Sequence, residues 1–73
     1  MNKKYSETEY MVNLYCSADL MPKAIADKAR KIVRNWKKQN NVKKLTNLNI
    51  PTSPKAMDEI SKEFVKANQH LIK

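Results

Sequence analysis

The sequence predicts an all-α domain, a small three-helix bundle, and two observations carry that expectation. Glycine is absent and prolines number three among 73 residues, which disfavours a sheet of tight hairpins because those turns need residues at positive φ. Three stretches also repeat apolar residues at the i, i+3, i+4, i+7 spacing of one helical face, and polar connectors join them. Charged residues make up 30% and apolar residues 41% of the chain, enough to pattern a core and more than a disordered tail carries. A single domain, residues 1–73, is expected, near the size at which one core only modestly outweighs chain entropy.

The first helix is predicted over residues 7–18. Ser6-Glu7-Thr8-Glu9 fits the S-x-x-E capping box, in which the hydroxyl and the carboxylate each satisfy an amide left unpaired at a helix start. Tyr5 and Tyr10 then hold the two positions of a hydrophobic staple. Behind them Met11, Leu14, Tyr15 and Ala18 form one apolar face.

Pro22 restrains Met21 to an extended conformation and suits the first position of a helix, so the chain is expected to turn at residues 19–21. The second helix, residues 22–39, has the strongest periodicity. Ile25, Ala29, Ile32, Val33 and Trp36 share one side, and Lys23, Arg30, Lys31, Arg34, Lys37 and Lys38 fall on the other. Asn40-Asn41 ends the pattern. Residues 42–52 read as a connector in which Val42, Leu45, Leu48 and Ile50 pack down or form a brief helical turn. Ser53-Pro54 is an N-cap and first-position pair. Met57, Ile60, Phe64, Ala67 and Leu71 then give the third helix, residues 54–71, its apolar face.

Net charge is confined to the middle of the chain. Residues 23–44 carry nine Lys or Arg against Asp27, which is +8 within 22 positions, whereas the first twenty residues sum to −1 and the last twenty-nine to +1. A concentrated cationic surface attracts polyanions and releases their counterions. The expected function is therefore nucleic-acid binding, DNA ahead of RNA, through Lys23, Arg30, Lys31, Arg34, Lys37, Lys38, Lys43 and Lys44. Arg30 and Arg34 stand out among these because a guanidinium fork meets two acceptors where an ammonium offers one. Three helices are also compatible with a helix-turn-helix variant. The alternative is a protein-interaction module or inhibitor that docks the same face on an acidic protein.

Trp36 is in register with the core residues of its helix, so burial is expected ahead of base stacking, and Tyr5, Tyr10 and Tyr15 are assigned to staple and core. The ten residues from Ala29 to Lys38 are similar in pattern to the closing helix of the N-terminal helical domain of transcription elongation factor S-II. That likeness is one of shared periodicity and assigns no family.

Catalysis finds little support. A chain without glycine has no Gly-rich phosphate loop, which excludes P-loop and Rossmann fingerprints. Cys16 is the sole cysteine and His70 the sole histidine, so neither an intrachain disulfide nor a structural zinc site is expected, and no third group orients a Cys–His pair. Glu7, Glu9, Asp58, Glu59 and Glu63 are assigned to helix starts and exposed faces. No cofactor is expected. The first ten residues lack the apolar run of a secretory signal, and no stretch approaches the roughly 20 apolar residues of a membrane span. A cytoplasmic regulatory or accessory factor without membrane partners is the expectation, and its Lys/Asn-rich composition resembles that of small phage and mobile-element proteins. A homodimer would cover the apolar residues of the connector.

Overall fold

The computed structural model describes residues 5–50 and 52–72. Lys3, Lys4 and Lys73, which enter the charge count, and Pro51 of the connector lie outside them. The described residues form three α-helices, α1 (Glu7–Ser17), α2 (Lys23–Gln39) and α3 (Pro54–Ala67), with short 3₁₀ segments at Ala18–Leu20, Leu45–Leu48 and Gln69–Leu71. α1 lies between the other two and packs on both. Leu14 of α1, Ile25 of α2 and Ile60 of α3 are fully buried, and Ala18, Met21, Ala29, Val33 and Phe64 surround them. The chain is the three-helix all-α bundle its periodicity predicts.

Each helix start follows from its local sequence. The Ser6 Oγ accepts from the Glu9 amide at 3.1 Å and the Glu9 carboxylate accepts from the Ser6 amide at 3.3 Å, so the capping box is complete. Tyr5 and Tyr10 both sit half-buried against the core. Met21 is extended at φ −104° and ψ 156°. Pro22 stands one position earlier than predicted, at the N-cap of α2 with ψ 147°, where its carbonyl accepts from the Ala26 amide at 2.8 Å. Ser53 caps α3 through Oγ, which accepts from the Ala56 amide at 3.1 Å, with Pro54 in the first turn.

Two apolar faces differ from their sequence reading. In α1 the buried arc contains Asn13 and Ser17 beside Leu14, and Tyr15, assigned to the core, is 50% exposed, with Met11 half-buried. The small polar residues are tolerated because they bond back to their own helix. Asn13 Nδ2 donates to the Glu9 carbonyl at 2.8 Å and Ser17 Oγ to the Leu14 carbonyl at 3.1 Å. The Asn13 Oδ1 has no partner among the described residues. In α3, Ala67 and Leu71 are exposed rather than buried, and Leu71 lies beyond the α-helix, which stops at Ala67. Asn68 ends it there. Its side-chain Nδ2 donates to the Phe64 carbonyl at 2.8 Å, and its backbone amide is shared between the Phe64 and Val65 carbonyls, each at 3.1 Å, as the α-helix tightens toward the 3₁₀ turn that follows.

α2 ends without glycine in a Schellman motif. Asn41 adopts the left-handed conformation at φ 56°, its amide donates to the Lys38 carbonyl at 3.4 Å, and the Val42 amide reaches the Lys37 carbonyl at 2.8 Å. Residues 40–53 then join α2 to α3, a longer link than the three-to-four-residue turn of a helix-turn-helix. The connector folds back beside α1, along Val12, Tyr15 and Cys16. Leu45 packs against the core cluster, Val42, Leu48 and Ile50 are half-buried, and Ile50 shares a recess with Val12 and Cys16 of α1.

Candidate nucleic-acid interface

At 100° per residue, the five buried residues of α2 (Ile25, Ala26, Ala29, Val33 and Trp36) occupy about a third of its circumference. Lys31, Arg34 and Lys38 stand on the opposite side, all exposed, and cover about two turns of helix. Lys23 is exposed at the first turn on the same side. Arg30 and Lys37 sit at one margin, each half-exposed, where their stems lie along the bundle. Lys28, absent from the predicted set, is exposed at the other margin. The stretch-wide charge count already contained it, but the helical wheel places it away from the arginine row.

Arg30 differs from the rest. Its guanidinium meets Asp19 at 2.8 Å and Asp27 at 3.6 Å, so its charge is shared between two carboxylates at the α1–α2 junction. It is the one predicted site residue with acidic partners among the described residues. Lys31, Arg34, Lys37, Lys38, Lys43 and Lys44 have none. Residues 28–57 contain no Asp or Glu. Lys23 and Lys28 have no acidic partner among the described residues either, but most of the unneutralised charge sits on the C-terminal half of α2 and on the connector.

The carboxylates of α3 are engaged elsewhere. Glu59 accepts from the Tyr5 hydroxyl, and Asp58 pairs with Lys62 at 3.0 Å. Burial, and then the nearby Glu63 carboxylate, pushes the Tyr10 phenol above its ordinary range. Trp36 is 8% exposed, and its Nε1 donates to the Glu7 carboxylate at 3.1 Å. The indole is thus a core group with its polar edge satisfied, as its register predicts.

Lys43 and Lys44 are exposed on the connector, and folding brings Lys44 to Lys37. These two line a shallow depression of about 260 Å³ together with Tyr15, Leu45 and Thr46. Tyr15 also forms one wall of an adjoining recess of about 430 Å³ between α1 and the connector, with Val12, Cys16, Thr46, Asn49 and Ile50 among its lining. A half-exposed tyrosine that lines one depression with two lysines was not legible in the sequence, because Tyr15 falls in register with Leu14 and Ala18.

The Cys–His pair is not assembled. His70 is exposed in the last 3₁₀ segment and Cys16 on the outer side of α1, with no hydrogen bond between them. No group of three or more His, Cys, Asp or Glu that could hold a metal occurs among the described residues, and none of the described helices is long and apolar enough to cross a membrane. No family model, curated protein or solved structure matches the chain.

Proposed function

We propose that this protein binds nucleic acid through its phosphates, using the C-terminal half of α2 and the start of the connector, and acts by binding rather than by catalysis. The observation that carries this reading is the row Lys31, Arg34 and Lys38, exposed along one side of α2 and free of acidic partners among the described residues. Cations spaced about a turn apart meet successive phosphates, and phosphate contacts dominate affinity for duplex and single strand alike. Lys37, Lys43 and Lys44 extend the row onto the connector. Lys37 and Lys38 also lie at the negative end of the α2 dipole, where cations steady the helix end.

Arg30 belongs to the α1–α2 junction more than to this row, since Asp19 and Asp27 already hold its fork. Charge reversal is therefore best made at Lys31→Glu, Arg34→Glu and Lys38→Glu together. The triple variant is expected to keep its helical circular dichroism and to lose retention on DNA and RNA. Parallel retention on polyglutamate separates the readings. Nucleic acid held more tightly than polyglutamate supports the proposal, and equal retention on both, or full binding by the triple variant, refutes it.

A further inference from the structure

Tyr15 occupies an unusual position for a large aromatic in a bundle this small. Half of it faces solvent, and it separates the depression lined by Lys37 and Lys44 from the larger recess between α1 and the connector. The larger recess, about 430 Å³, falls within the size range of small-molecule sites. Its walls are mixed. Val12 and Ile50 supply apolar surface, and Thr46 and Asn49 supply hydrogen-bonding groups.

A nucleotide divides in the same way. Its base has two apolar π-faces and a polar edge, and its phosphate is an anion. We infer that this end of the cationic surface takes single-stranded nucleic acid, with one unpaired base laid on the Tyr15 ring in the larger recess and the adjoining phosphates on Lys37 and Lys44. The inference rests on the nucleic-acid reading above and narrows it. A duplex keeps its bases stacked inside and reaches the recess only by unpairing, whereas a single strand presents them without that cost. Stacking on an aromatic ring tolerates any base, because every base has a π-face. The site therefore selects for strandedness more than for sequence.

The test compares three ligands at one salt concentration by fluorescence anisotropy: a short single strand, its duplex, and the same strand with abasic sites. The intact strand is expected to bind about tenfold or more tightly than either of the others. Tyr15→Leu is expected to bring the intact strand down to the duplex value and leave the duplex unchanged, and Tyr15→Phe to keep the preference. The unaltered chain gives an independent readout, because Cys16 lines the same recess and is exposed. Bound single strand should slow its alkylation by iodoacetamide, and bound duplex should not. Duplex binding equal to or stronger than the strand, undiminished binding of the abasic strand, or an equal loss for both ligands in Tyr15→Leu overturns the stacking site while leaving phosphate binding intact. Failure of all three ligands to bind overturns both.

Discussion

The Trp36 indole ties the C-terminal end of α2 to the first turn of α1 through its bond to Glu7 at 3.1 Å. A hydrogen bond to a charged acceptor contributes about 1.5–3 kcal/mol, so Trp36→Phe, which keeps an aromatic in the space and deletes the donor, is expected to destabilise the fold by about that amount. Urea denaturation measures the loss. DNA affinity per folded molecule should not change, because the ring does not face the cationic row. This residue was readable in advance, since its register with Ile25, Ala29 and Val33 requires burial. Tyr15 was not. Hydrophobicity alone assigns a tyrosine inward and an asparagine outward, yet Asn13 and Ser17 go inside by donating to carbonyls of their own helix, which turns the buried arc of α1 away from Tyr15. Arg30 was likewise assigned by periodicity to the exposed face. Its pairing with Asp19 across the α1–α2 junction depends on how two helices meet, and no pattern within one helix encodes that.

Helix ends are where local chemistry speaks most directly. The box at Ser6 and Glu9 and the cap at Ser53 form as their spacing requires, because each involves residues three apart that meet whatever the tertiary fold. The end of α2 is just as local. Asn40-Asn41 marks a stop, and the left-handed Asn41 with the two reversed hydrogen bonds of the Schellman motif closes within residues 37–42. Left-handed backbone costs an ordinary L-residue about 1–2 kcal/mol and glycine little. Asn41→Ala should therefore be about 1 kcal/mol less stable than Asn41→Gly, read as a difference in melting temperature between the two variants. A reversed order would mean that this turn is not held at positive φ in solution. The end of α3 differs from its spacing: the apolar pattern continues to Leu71, but the α-helix ends at Ala67, and Asn68, its amide shared between the Phe64 and Val65 carbonyls, leads into a 3₁₀ turn.

Across the whole molecule, charge is graded along α2. Its first turns carry Asp27 and the shared Arg30, and from residue 28 to residue 57 no carboxylate follows. If roughly four to six phosphates are neutralised, log affinity for duplex DNA should fall against log salt with a slope of about −3.5 to −5.5. Titration between low and physiological salt measures it. A slope near zero would contradict binding through phosphates. Composition made the charge legible from the start, and helical geometry made most of its placement so. The depression beside Lys37 and Lys44 was hidden because it needs a connector folded over α1, a contact between segments far apart in sequence.

The gradient along α2 also bears on time rather than strength. A molecule whose unpaired cations line one side of a helix, with Asp19 and Asp27 beside the first turns, carries its charge asymmetrically, and in the field of a polyanion it is turned before it touches. Its rate of encounter should then respond steeply to added salt, whereas the lifetime of the complex depends on close contacts that ions screen far less. Orientation would thus be settled in flight, with the cationic side arriving first.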